Sequence, residues 1–248
     1  AGGVDGLDAD TADDQARLQT AQETLLSPLD FDTVDAWRSA ANDAVKALLG
    51  ADKGFFMLPL NGRANVYSDE YEAVTTSAYP GEMEPIAKRH AYWHRVTTLG
   101  VHNRAMAWGA GLDEYYRSRY YNEFVIPRRG FNATGMTSPM NTTPRKNTVA
   151  QMAVHHDNPR TEPFGPRGLA LLRLLYPAFK AGVEAWYRLA RYSNRLRDLL
   201  DELGAALHVS DLDGQALHRT PALVQALHAD PERDRLEAAL DRVTQQQV

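Results

Sequence analysis

Between Pro166 and about Leu203 the chain carries one long helical pattern, the longest element its sequence contains. Leu169, Leu172, Tyr176, Phe179, Val183, Trp186, Ala190 and Ser193 follow at alternating steps of three and four residues. That spacing is an a/d seam, the kind that faces a second helix. Leu196, Leu199, Leu200 and Leu203 carry the apolar face on after a phase shift. A helix this long organises everything else, because the shorter elements on either side must be packed against it or separated by it.

The stretch before the helix mixes both periods. "DTVDAWRSAANDAVKALLG" predicts an amphipathic helix, with Asp32 as N-cap, Gly50 as the C-terminal stop and Val34, Trp37, Ala41, Val45, Leu48 and Leu49 on its apolar face. A shorter helix is expected over residues 13–26. "GFFMLPL" reads as a buried strand and "NGR" as a tight turn into "ANVYS". Pro59 predicts that the first strand ends, or lies at an edge, at that point. "EMEPIAKRHAYWHRVTTLG" is helical in its middle, and "LDEYYRSRYYNEFV" is a helix that stops before Pro127. "FNATGMTSPM" and "NTVAQMAVHH" form two antiparallel strands across the loop "NTTPRK". After Gly204 the pattern reads strand, Asp-Gly hairpin, strand, helix, with a last amphipathic helix in "DPERDRLEAALDRV". The fold class is α+β, an antiparallel sheet with helices on it. Four segments follow: an acidic tail and first helix over 1–30, a sensor-sized domain over 31–165, the connecting helix over 166–203, and a small unit over 204–248.

Cysteine is absent from all 248 residues, which excludes disulfides, thiolate catalysis and Cys-ligated metals. No apolar run approaches the ~18 residues of a membrane span. The first fifteen residues lack the basic and apolar regions of a signal peptide, so a cytoplasmic location is expected. The net charge is −5, acidic from Asp5 to Asp35 and basic from Arg167 to Arg197. The basic stretch reads as the solvated flanks of a helix.

Three phrases carry a family resemblance. "YYNEFVIPRRGF" is similar to a segment of the GAF-type sensory regions of LuxR-class bacterial transcription regulators. "FGPRGLALLRLLYPAFKAGVEAWYRL" is similar to the terminal helix of those regions. "LLDELGAALHVSDLDGQALHRTPALVQAL" resembles the opening of the PAS-like segment that follows it. The likeness covers about residues 30–245. It implies a GAF-like domain, a signalling helix that dimerises, and a partial PAS-like unit. It also implies a helix-turn-helix opening near "LTxRE", and no such motif stands before Val248. No direct DNA contact is therefore expected of these residues. The acyl-homoserine-lactone signature is missing too, since Ile126-Pro127 stands where Asp-Pro would.

The site candidates are aromatic. On one continuous helix, Leu112, Tyr116, Tyr120 and Phe124 would form a single inward stripe. Trp93 and Trp108 flank it. Together Trp93, Trp108, Tyr116, Tyr120 and Phe124 are the expected wall of a pocket for a small apolar or aromatic ligand, with hydroxyls left to orient it. The expected dimer interface is Leu172, Tyr176, Phe179, Val183 and Trp186; packing on the chain's own sheet is the alternative. His90 and His94 share a helix face, but no third ligand accompanies them, so no metal is expected. His155 and His156, adjacent on a strand, point to opposite faces. No nucleophile elbow, phosphate loop or dinucleotide fingerprint occurs, and neither enzymatic activity nor a cofactor is expected. The resulting expectation is a regulatory module that senses a small molecule. The rivals are a ligand-free scaffold and an enzyme with an unfamiliar site.

Overall fold

A computed structural model describes residues 12–60, 63–67, 79–127, 129–140, 148–210 and 216–245. Two helices come first, α1 (Ala12–Leu26) and α2 (Val34–Leu49), followed by the hairpin strands β1 (Lys53–Leu60) and β2 (Arg63–Tyr67). Then come α3 (Tyr79–Arg89), α4 (Tyr92–Leu99), β3 (Val101–Asn103), α5 (Arg104–Trp108) and α6 (Leu112–Arg117). A wide π-type turn covers Tyr120–Val125. Strands β4 (Phe131–Met140) and β5 (Thr148–His156) lead into the long helix α7 (Pro166–Glu202). The chain finishes with β6 (His208–Ser210), β7 (Ala216–Arg219), α8 (Pro221–Ala229) and α9 (Arg233–Gln245). The architecture is α+β.

Five strands form one antiparallel sheet in the order β2-β1-β5-β4-β3. Register assigns its two faces. Phe56 pairs with Met152, and Met152 with Met136, so these three share one face. Phe55 pairs with Ala153, and Thr137 with Gln151, on the other. The first face is mainly apolar. Trp37 of α2 packs on Phe56 with ring centroids 5.1 Å apart, and Phe179 of α7 meets Phe56 at 5.6 Å. Leu25, Leu172, Leu175 and Val183 complete this fully buried layer. Trp37 also ties α2 to α1, donating its indole N–H to the Thr24 carbonyl at 2.9 Å. At Gly182 the α7 backbone nearly touches α1, since a Cβ there would lie 1.8 Å from the Leu25 carbonyl oxygen.

Several local readings change. The N-cap of α2 is Thr33, not Asp32: its Oγ1 accepts the Ala36 N–H at 3.1 Å. Gly50 ends that helix as expected, at φ 64°. Pro59 does not end β1, which runs on to Leu60, but it lies at a local edge of the sheet, as expected. The β5 ladder on β1 stops at Met57, so beyond that point only β2 pairs with β1 and the missing proline N–H is tolerated. The Asn61-Gly62 turn and the loop 141–147 lie outside the described residues.

The seam on α7 is real, but it faces the protein's own sheet. Leu172, Phe179 and Val183 are essentially fully buried within the chain. Tyr176 is half-buried and donates its hydroxyl to the Thr137 carbonyl at 3.3 Å, and Trp186 is half-buried. A side chain already buried in its own core cannot meet a second copy, so Leu172, Phe179 and Val183 are not available to a dimer surface. Besides Leu174, the apolar residues left exposed on the later turns of α7 and just after it are Leu189, Tyr192, Leu196, Leu199 and Leu203.

Two compact units divide inside α7, between Trp186 and Tyr187. The first holds α1 through the early turns of α7, so α1 is a packed part of it, with Ala21 and Leu25 fully buried. In the second, Gly204 (φ 63°) ends α7 and β6 pairs with β7. Thr220 Oγ1 accepts the Leu207 N–H at 2.9 Å and donates to the Ala205 carbonyl at 2.6 Å. Asp201 Oδ1 stands 2.8 Å from His218 Nε2. No helix among the described residues is long and apolar enough to cross a membrane.

Candidate functional site

The face carrying Phe55, Gln151 and Thr137 is covered by α4, α5, α6 and the π-type turn, and a cavity of about 80 Å³ lies beneath them. Its position follows from a break the sequence pattern conceals. The segment "LDEYYRSRYYNEFV" is not one helix. Ser118 adopts an extended conformation (ψ 153°); its hydroxyl donates to the Tyr115 carbonyl at 2.6 Å and accepts the Tyr121 N–H at 3.0 Å. One side chain therefore ends the first helical piece and caps the next. The break resets the phase. Tyr115, not Tyr116, turns inward, with 4% of its surface exposed against 39% for Tyr116.

The aromatic wall is a stack of rings. Tyr92 meets Trp108 at 4.6 Å, and Trp108 lies on Tyr115 at 4.5 Å and 25°. Of the expected wall, Trp108 and Tyr120 line the cavity. Phe124 is buried behind it, stacked on Tyr120 at 5.0 Å. Trp93 packs on the outside of the cluster and donates its indole N–H to Glu84 at 3.1 Å. Tyr116 is no part of the lining, for the reason of phase just given.

The polar lining was not foreseen. Gln151, 2% exposed, donates its amide N–H to Thr137 Oγ1 at 3.2 Å and makes a long 3.4 Å contact to the Tyr92 hydroxyl. Its Oε1 is buried with no hydrogen-bond partner among the described residues. His102 Nε2 stands 2.9 Å from the same Thr137 hydroxyl. Burial lowers the His102 pKa to about 4, so the ring is neutral near pH 7. His155 is lowered further, to about 3, by burial first and then by Arg104, Lys53 and His156. His155 lines this cavity while His156 stacks on Phe164 at 4.1 Å, which is the opposite-face arrangement expected of the pair.

Among the described residues Arg104 is the one Lys or Arg in the cavity lining, 9% exposed. It donates to the Gly130 carbonyl at 2.8 Å and lies over the Tyr115 and Tyr121 rings at 5.5 and 5.8 Å. No carboxylate pairs with it among the described residues. The Tyr115 hydroxyl, whose pKa burial raises, likewise makes no hydrogen bond among them. Two strand positions could have signalled this chemistry. Gln151 and His155 alternate with apolar neighbours in "AQMAVHH" and so share a face. Arg104 and Tyr115 carry no such signal.

Away from the cavity, His90 and His94 are separated by Ala91, whose φ of 51° breaks the helix between α3 and α4. His90 Nε2 stands 2.6 Å from Glu114 Oε2, and this contact leads the lowering of the Glu114 pKa. His94 points to solvent. Among the described residues no group of three or more potential metal ligands occurs. A wider hollow of about 250 Å³ lies around Phe164 and Leu171, without an unpartnered buried polar atom among the described residues.

Comparison with protein-family models finds no match, and comparison with curated proteins finds none either.

Proposed function

We propose that the chain is a small-molecule-sensing module of the GAF-type, LuxR-class regulatory kind. Occupancy of the aromatic cavity is read by Thr137 and passed to α7. The carrying observation is the position of Thr137. Its hydroxyl sits in the cavity network with Gln151 and His102. Its N–H donates to the Gly100 carbonyl at 2.7 Å, and its own carbonyl receives the Tyr176 hydroxyl of α7. Gly100, at φ 68°, lies so close to the Tyr176 ring that a Cβ there would come within 2.9 Å of it. A ligand that draws Gln151 away from Thr137 therefore perturbs a residue bonded directly to the long helix, and two α7 arrangements can be weighted differently by occupancy.

The output surface in this reading is the exposed stripe Leu189, Tyr192, Leu196, Leu199 and Leu203. Its steps of three and four keep a strict heptad spacing, which suits a parallel homodimer in the cytoplasm.

The test is native mass spectrometry of the purified chain, followed by amide exchange across α7 with and without the retained molecule. Exchange in α7 is expected to change on ligand removal. Tyr176→Phe should abolish that change without releasing the ligand, and Leu196→Glu with Leu199→Glu should release the dimer while the ligand stays. A chain that carries nothing, and whose α7 exchange no compound of a small-molecule library moves, ends the proposal.

A further inference from the structure

The chemistry of the cavity narrows the ligand. Arg104 is a guanidinium held nine-tenths buried beside the cavity, with one donor on the Gly130 carbonyl and no carboxylate opposite it among the described residues. A buried cation without a counter-charge is costly, and a ligand anion relieves that cost. The planar fork of guanidinium donors matches a carboxylate. The rings of Tyr115 and Tyr121 hold the fork in place.

Gln151 supplies the second requirement. Its amide N–H end is committed to Thr137 and Tyr92, and its Oε1 is buried without a partner among the described residues. An unpartnered buried acceptor calls for a donor on the ligand, and a carboxylate has none to give. The ligand must then carry a hydroxyl or similar donor besides its acid group.

Size supplies the third. At about 80 Å³ the cavity is smaller than the roughly 150 Å³ that accommodates a benzene ring. The part of the ligand that enters the cavity, joining acid to hydroxyl, is therefore short and aliphatic. Phe55, Trp108 and Val125 offer it apolar walls.

We infer that the cavity binds a short-chain hydroxycarboxylate, its carboxylate on Arg104 and its hydroxyl donating to Gln151 Oε1. This rests on the sensing reading of the same cavity and gives that reading a ligand class.

The experiment is calorimetric titration of the full chain with lactate and 3-hydroxybutyrate. Lactamide serves as the uncharged counterpart and butyrate as the acid without a hydroxyl. The hydroxy acids should bind, and lactamide and butyrate should bind at least tenfold more weakly. Arg104→Gln should remove hydroxy-acid binding, with circular dichroism confirming the fold. Should that variant not fold, Gln151→Leu decides the matter: 3-hydroxybutyrate and butyrate should then bind alike. The inference is overturned if lactamide equals lactate, if butyrate equals 3-hydroxybutyrate in the wild-type chain, or if no hydroxy acid binds. Binding of neutral compounds alone, with a response in α7, would remove the inference and leave the sensor. Binding of hydroxy acids without any response in α7 would keep the site and remove the relay.

Discussion

The two faces of the central sheet are built from the same strands and differ in almost everything else. On one, Trp37, Phe56, Phe179 and Val183 interlock in a mainly apolar layer, with Asn42 and Arg38 of α2 buried beside it. On the other, Gln151, Thr137, His102, His155 and Arg104 sit among aromatic rings around a cavity. The first face stabilises the fold by removing apolar area from water. The second gives up part of that stabilisation, because buried polar groups return little unless every one is satisfied. A strand that alternates apolar side chains with glutamine and histidine is therefore holding two layers with different tasks.

Neighbouring residues on β1 give the sharpest way to break this contrast. Phe56 is fully buried on the packed face, and Phe55 is half-buried at the cavity. Phe56→Ala should cost about 3–5 kcal/mol in urea unfolding, and Phe55→Ala less than half as much. Equal costs would mean that the two faces pack alike.

Acid should act on the cavity face next. The folded-state pKa values of His102 (about 4) and His155 (about 3) lie below the ordinary histidine value of 6.5. The unfolded chain thus binds protons that the folded chain refuses. The stability these neutral rings carry is complete above about pH 6.5 and is lost as pH falls through about 4 and then 3. Each ring should contribute a slope on the order of 1 kcal/mol per pH unit within its window. Replacing His102 with Asn should flatten the pH 4–6.5 limb of the stability curve; a limb left unchanged would show that the ring is solvated.

The smallest effect expected is on stability at Gln151. Leucine there loses the amide bond to Thr137 but also removes a buried acceptor that has no partner among the described residues. The net change should stay within about 1 kcal/mol of zero. A loss as large as that of Phe56→Ala would make Gln151 part of the packed core and not of a site.

How much of this was legible in the sequence depended on whether a local period ran unbroken. Trp37, Ala41, Val45 and Leu48 kept the helical step, and α2 buries that stripe. Adjacent His155 and His156 had to point apart on a strand, and they do. The tyrosine run misled because Ser118 interrupts it with a side-chain hydroxyl that satisfies two backbone groups, and the apolar spacing does not register that event. The seam of α7 misled differently. Leu172, Phe179 and Val183 mark a buried face correctly, but spacing alone does not say whether a sheet or a second helix buries it. Arg104 was invisible because its meaning lies in having no carboxylate opposite it among the described residues, a property of three-dimensional neighbours.

The ring stack Tyr92–Trp108–Tyr115 has an optical consequence. With neighbouring centroids at 4.6 and 4.5 Å, light absorbed by either tyrosine passes readily to the indole between them. Trp108 thus shares excitation from the cavity wall with Trp93, whose ring lies 5.0 Å from Tyr92, and emits it from a position in contact with the cavity. Trp37, fully buried across the sheet, and half-buried Trp186 contribute the background against which that emission is read. The protein carries its own lamp on the side where the chemistry lies and its own reference on the side where it does not.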